Sequence, residues 1–384
     1  MPASLVALCF GNFIIGTGTL IVPGMLPVLA EGLGVTLPIA GQLITAFALT
    51  VCLSAPLLAG ATSRYDRRKL LLAMQLLFVA GHLAAALASS FAPMLAARVL
   101  TSFGAAIFTS QAAATAALLV PPERRGRAIA LVMLGWSIAS VTGIPLGAYV
   151  SARWGWREGF ALVAAAALVG AVLVWRYVPA GLSVKPVDAR MWREILGNRL
   201  LLAVLAVSAL QSAPQFAIFS YIVPATKAFL GASPELVGLL LAGFGITGVI
   251  GNALASRFID RLGAASVVMA SIVSMLAAHL LWPWSVGAMP VFILVLVLWG
   301  LGCFACNSAQ QARLAQLSPQ HAPVSMALNT SMIFLGQALG TAAGGVLLSH
   351  VPGIPGYAHL AWISVPLFVS AIALSAFAAR RARV

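Results

Sequence analysis

Residues 27–50 read PVLAEGLGVTLPIAGQLITAFALT, and residues 224–247 read PATKAFLGASPELVGLLLAGFGIT. Laid over one another at a shift of 197 positions, Pro27 meets Pro224, Gly34 meets Gly231, Gly41 meets Gly238, Phe47 meets Phe244 and Thr50 meets Thr247. The same shift carries Arg64 onto Arg261, His82 onto His279, Gly143 onto Gly340 and Gly147 onto Gly344 without a gap. A self-match at a fixed period dictates architecture before any local motif is read. The repeated unit here is apolar, and tandem apolar halves point to a carrier whose solute pathway lies between them.

Outward from the repeat, charged residues make up 8% of the chain and apolar residues 61%. Soluble domains carry about 25% charge, so this chain has too little polar surface to wrap a water-soluble globule. Twelve windows, each close to the roughly 20 apolar residues that cross a bilayer, run from Leu5–Leu29 to His359–Ala379, six in each repeat. The seventh is Leu201–Leu230 and the ninth Ala264–Leu281. The first window is too long for a signal-peptide core and is expected to be a retained helix. The predicted fold is an all-α membrane protein with twelve transmembrane helices in two pseudo-symmetric six-helix bundles, 1–178 and 200–384. A charged linker, 179–199, containing Pro179, Gly181 and Pro186, joins them. Within it, Trp192-Arg193 followed by Ile195 and Leu196 predicts a short amphipathic helix on the inner surface.

With both termini in the cytoplasm, eighteen Lys and Arg residues fall on the inner side and three, Arg153, Arg157 and Lys227, on the outer. That asymmetry follows the positive-inside rule. It also accounts for the net charge of +14 through an anionic inner leaflet rather than nucleic acid. Cys9, Cys52, Cys303 and Cys306 all fall inside windows. The Cys303-x-x-Cys306 pair lacks a second ligand pair and reads as packing, so no metal or other cofactor is expected. No nucleophile–base pair or phosphate loop suggests an enzyme.

After the second window comes Gly60-Ala-Thr-Ser-Arg64-Tyr-Asp66-Arg67-Arg68-Lys69, and its repeat partner ends in Arg257-Phe-Ile-Asp260-Arg261-Leu-Gly263. Pro121-Pro122-Glu123-Arg124-Arg125-Gly126-Arg127 follows the fourth window, and the fifth carries Gly143-Ile-Pro145-Leu-Gly147. Beyond it stands Gly155-Trp156-Arg157-Glu158-Gly159-Phe160. In this order, on a twelve-span repeat, these motifs resemble the major facilitator superfamily. Within it the chain is similar to the drug and metabolite:proton antiporters that include sugar, purine-nucleoside and chloramphenicol exporters. The resemblance covers nearly the whole chain.

The resemblance implies a bacterial inner-membrane location and a cytoplasmic latch built from Arg64, Asp66, Arg67 and Arg68, with a second copy at Asp260 and Arg261. A charge-assisted bond suits a latch because water solvates both partners when it opens. Ser63 stands where the family has its Asp, and Asp66 where it has Gly. Asp66 is then either the replacement carboxylate or the sign of a weak first latch. Charge that only sets topology is the other reading. Gly143, Pro145 and Gly147 match the antiporter signature, which implies a seam at which the halves rock. Close helix packing through small residues gives the same pattern.

Arg98 is a fully charged residue placed inside the fourth window, about one turn from its outer end. An intramembrane arginine is expensive and points to function, and it matches the family's fourth-helix arginine, associated there with proton transfer. Snorkelling to the outer interface is the alternative. The eight acidic residues, Glu31, Asp66, Glu123, Glu158, Asp188, Glu194, Glu235 and Asp260, all fall in loops or at helix ends, and Thr19 stands where relatives carry an acid. His82 and His279, at equivalent repeat positions, are the remaining candidates to carry a proton, or else are structural.

In the superfamily the first, fourth, seventh and tenth helices line the cavity, flanked by the second, fifth, eighth and eleventh. On those spans the substrate candidates are Asn12, Thr19, Gln42, Thr45, Gln111, Trp136, Gln211, Gln215, Asn307, Gln310 and Asn329. Uncharged amides, hydroxyls and an indole suit a neutral organic solute, and each also suits a helix-to-helix bond. The function expected is proton-coupled export of small, mostly neutral organic molecules by alternating access, by a monomer whose partners are solute, protons and lipid. The alternative is an uncoupled facilitator or uptake permease for sugar, nucleoside or amino-acid-like solutes.

Overall fold

The computed structural model describes residues 2–62, 64–121, 124–182, 189–318 and 322–381. Ser63, Pro122, Glu123, the linker residues 183–188 and Arg383 lie outside the described residues. The helices are, in chain order, α1 Ala3–Gly32, α2 Leu37–Ala61, α3 Arg67–Ala86, α4 Phe91–Leu118, α5 Arg125–Arg153, α6 Trp156–Tyr177 and α7 Ala189–Gly197. They continue as α8 Arg199–Phe219, α9 Ile222–Leu230, α10 Pro234–Leu262, α11 Ala264–Leu281, α12 Met289–Leu317, α13 Ala322–His350 and α14 Gly353–Arg381. Twelve helical stretches are long and apolar enough to cross a bilayer, and among the described residues there is no strand. A helix satisfies its own backbone hydrogen bonds, which hydrocarbon cannot do for it. Outward-facing Leu57, Leu239 and Trp362, each more than 70% exposed, suit lipid as solvent. The protein is a multi-pass membrane protein.

Local chemistry sets the ends of these rods. Asn198 caps α8 by accepting the Leu201 N–H at 3.1 Å, and Ser233 caps α10 ahead of Pro234. Gly231 ends α9 at φ 59°, a left-handed conformation that a side chain disfavours. The ninth window coincides with α11 at both ends, and a 3-10 turn, Trp282–Ser285, follows it. The short linker helix is α7, with Ile195 buried and Leu196 exposed.

The seventh window, expected as one helix, is two. It breaks at Ser220–Tyr221, whereas the equivalent Pro23–Gly24 of the first repeat lies within the continuous α1. The break is held by α13: Ser220 Oγ lies 2.7 Å from Thr341 Oγ1, and the Tyr221 hydroxyl donates to the Thr341 carbonyl at 3.1 Å. Such side-chain bonds stabilise irregular backbone at membrane depth.

The residues form two compact units, Met1–Thr36 with Ala46–Val187, and Leu37–Thr45 with Asp188–Val384. In the first unit α1 packs on α5 and α6, and α3 on α4 and α6; in the second, α8 packs on α13 and α14, and α11 on α12 and α14. For these helices the packing repeats as the sequence does. The α1–α5 contact is close because glycines face it: a Cβ at Gly24 would fall 2.5 Å from the Ile144 carbonyl oxygen, and one at Gly147 2.5 Å from that of Ile21. In the second unit Gly336, Gly340 and Gly344 of α13 meet the carbonyls of Ala209, Ala213 and Ala217 on α8 in the same way. Gly143 and Gly147 thus serve a helix contact inside their own unit.

Candidate functional site

Arg98 lies in the second turn of α4 and is 1% exposed, so its guanidinium does not snorkel. Its Nη1 donates to the Gly18 carbonyl on α1 at 3.2 Å, and Cζ stands 4.4 Å from the centre of the Phe47 ring. Nε has no hydrogen-bond partner among the described residues. A positive charge over an aromatic face is attracted by the ring quadrupole, which offsets part of the desolvation cost. Gly18 joins a second group to this place: a Cβ there would lie 2.7 Å from His82 Nε2. His82 is fully buried, with Nδ1 2.9 Å from the Phe78 carbonyl and the ring between Phe78 and Phe160. Arg98, the Gly18 carbonyl and His82 therefore form one buried cluster. His279 has the equivalent main-chain bond, Nδ1 2.8 Å from the Met275 carbonyl, and packs against Trp299 and Phe368. No arginine accompanies it, because Val295 holds the repeat position of Arg98.

The basic loop of the first unit turns inward. Asp66 caps α3, accepting the Lys69 N–H at 2.9 Å, while its other oxygen accepts the Gly181 N–H at 2.5 Å. Burial pushes the Asp66 carboxyl up, but the N–H groups of Lys69 and Gly181, the Lys69 charge and the Arg68 N–H outweigh it and hold the group below its usual value. The Arg67 N–H donates to the Leu182 carbonyl at 2.9 Å, and its buried guanidinium donates to Gln111 Oε1 on α4. Arg68 lies 5.9 Å from the centre of the Trp175 ring, and Arg64 is exposed. Asp260 and Arg261 are exposed in the last turn of α10.

The substrate candidates divide by what they touch. In the first unit Asn12 is buried, and its amide donates to the Val132 carbonyl on α5. Thr19 bonds its own helix at Ile15, and Gln111 is engaged by Arg67. Trp136 is half-buried and donates to Thr109 Oγ1 at 3.2 Å. Gln42 and Thr45, on the part of α2 that belongs to the second unit, are half-buried. In the second unit four groups join: Trp299 Nε1 donates to Gln215 Oε1 at 3.0 Å, Gln215 Nε2 to Gln211 Oε1 at 2.7 Å, and Gln211 Nε2 to Asn307 Oδ1 at 3.2 Å. Nearby on α8, Ser208 receives Gln310 Nε2 at 3.2 Å and donates to Asn329 Oδ1 at 2.6 Å. Sequence reasoning missed Trp299 and Ser208. The signal for Trp299 was its place two turns before Asn307 on one face of α12.

A family model described as Major Facilitator Superfamily matches residues 8–224 and, overlapping it, 205–383. An uncharacterised MFS-type transporter of Bacillus subtilis, YtbD, is 30% identical over 380 residues, which span 98% of this chain and 94% of its own length. The chloramphenicol resistance protein of Streptomyces lividans is 31% identical over 362 residues, 92% of this chain and 91% of its own. A crystal structure of a D-xylose–proton symporter superposes with a TM-score of 0.78 at 17% identity, covering 97% of this chain and 96% of the symporter. That last likeness is one of fold. Twelve spans, a duplicated packing scheme and a family match across both repeats make this chain a member of the major facilitator superfamily of membrane transporters.

Proposed function

We propose that the protein exports small, mostly neutral organic molecules across a bacterial inner membrane by alternating access, coupled to protons, as a monomer with both termini cytoplasmic. Bundles 1–178 and 200–384, with the linker 179–199, would be the moving parts. The reading rests on the chemistry of the buried polar groups. They are amides, hydroxyls, indoles and the imidazoles of His82 and His279, and the buried guanidinium groups of Arg67, Arg98 and Arg313 each donate to a neutral oxygen. Such an interior hydrogen-bonds an uncharged solute without demanding a counter-ion. Likeness to the chloramphenicol resistance protein of Streptomyces lividans supports export. The proton route proposed is the Arg98–Gly18–His82 cluster, with His279 as its counterpart lacking the arginine.

One observation favours a second reading. The described acidic residues lie in loops, in the linker helix or near the ends of spans, as with Glu31, Glu158, Glu235 and Asp260. A carrier with no mid-span carboxylate suits an uncoupled facilitator or uptake permease. Chloramphenicol uptake into everted vesicles separates the two. Accumulation that a proton ionophore abolishes supports the coupled exporter, equilibration indifferent to the ionophore supports the facilitator, and no uptake above control vesicles counts against chloramphenicol-like solutes.

A further inference from the structure

A one-way chain of hydrogen bonds runs through the second unit. It begins at the Trp299 indole, which can only donate, and passes through Gln215 and Gln211 to Asn307. Because the head is a pure donor, Gln215 must turn its oxygen toward Trp299 and its nitrogen toward Gln211. Gln215 Nε2 also reaches the Gln211 main-chain carbonyl at 2.9 Å, which reinforces that orientation. Gln211 then has its oxygen filled and gives its nitrogen to Asn307. Flipping any one amide sets donor against donor or acceptor against acceptor, so the three amides are oriented as a set.

The polarity leaves one end to be read. Trp299, Gln211 and Gln215 are buried, while Asn307 is half-buried, ten residues before the end of α12. Asn307 Oδ1 is occupied by Gln211, and its Nδ2 has no hydrogen-bond partner among the described residues. A primary amide at that depth is costly against hydrocarbon, so its open side is suited to water or a polar solute.

Resting on the transport reading above, we infer that Asn307 is a specificity-determining donor, selecting solutes that present an acceptor oxygen such as a carbonyl. Gln211, Gln215 and Trp299 are positioning residues that prevent the Asn307 amide from turning its oxygen outward. Solutes offering only donors or a cationic centre meet an N–H group and are disfavoured. An unmatched buried polar contact of this kind costs about 1–3 kcal/mol, or at least about fivefold in affinity.

The test uses the purified full chain, with chloramphenicol and inosine as carbonyl-bearing neutral probes and benzyltrimethylammonium as a cation without donor or acceptor. Equilibrium binding is measured for the wild type, Asn307→Asp, Asn307→Leu and Trp299→Phe. Asn307→Asp keeps the acceptor for Gln211 and turns the open end into an acceptor. It is expected to retain the wild-type thermal midpoint, lose about tenfold or more in affinity for carbonyl probes, and gain the cation. Trp299→Phe, which removes the head donor, is expected to narrow the preference for carbonyl probes over the cation. Carbonyl probes that bind the wild type and Asn307→Asp equally overturn the inference and leave the transport reading standing. Binding of only the cation by the wild type overturns it as well. If no probe binds the wild type, both the inference and the neutral-solute reading fail; Asn307→Leu reports whether any loss follows the amide or the fold.

Discussion

The carboxylate of Asp66 accepts the main-chain N–H of Gly181 across 115 positions of sequence, while its other oxygen caps α3. One residue later, the Arg67 N–H meets the Leu182 carbonyl. The loop that the motif assigns to a latch is thus pinned to the start of the linker inside its own unit. Removing the carboxylate in Asp66→Ala is expected to raise hydrogen–deuterium exchange at Lys69, Gly181 and the Arg67 amide by about tenfold or more, with the α8 amides unchanged. Unchanged protection at Gly181 would show that this bond contributes nothing in solution.

The same pin has a defined pH dependence. Asp66 titrates below its usual value in the folded chain, so its contribution is complete above the unfolded carboxylate value of about 3.9 and disappears as pH falls through the lower, folded value. Gly181 protection, corrected for intrinsic exchange, should be flat from neutrality to about pH 5 and fall only in stronger acid. A midpoint near neutrality would assign the titration to another group.

Two glycines of the second unit should respond oppositely to the same change. A Cβ at Gly340 meets the Ala213 carbonyl oxygen, which is backbone and cannot swing away, whereas one at Gly243 meets nothing within 4 Å. Gly340→Ala is expected to destabilise by about 1–3 kcal/mol through overpacking. Gly243→Ala should be neutral or stabilise by up to about 1 kcal/mol through helix propensity. Thermal unfolding in detergent decides, and equal midpoints for the two variants would refute the close α8–α13 contact.

Arg98 and His82 share Gly18 but differ in what their loss exposes. Arg98→Met removes a buried cation while filling similar space, so the folded state is expected to be retained and coupled transport to fall by about tenfold or more. His82→Gln should retain folding and shift the pH profile of transport. If both variants transport with wild-type rate and pH dependence, the cluster is structural only.

Much of the fold was legible because its cues are local or periodic. Ala264–Leu281 emerged with both ends correct, since Gly263 and the Trp282-Pro283 turn bracket an uninterrupted apolar run. The interruption at Ser220–Tyr221 carries neither glycine nor proline, and its support comes from Thr341, 120 positions away from Tyr221, so no local cue announces it. The candidate site was read less well for the same reason. Gln111 has the composition of a solute contact, yet Arg67, which in sequence belongs to a solvated basic loop, folds inward and engages it. Trp299 looks like one more apolar residue until Gln215 is seen to face it.

The interruption at Ser220–Tyr221 makes the two copies of the duplicated chain unequal. Its first repeat starts with one continuous helix from Ala3 to Gly32, which runs through Pro23 and Pro27, and its second with an interrupted one. A hybrid assembled from two copies of the first repeat would open each half with a continuous helix and lose the interruption. Among the described residues, interruption of the opening span therefore belongs to the second copy alone.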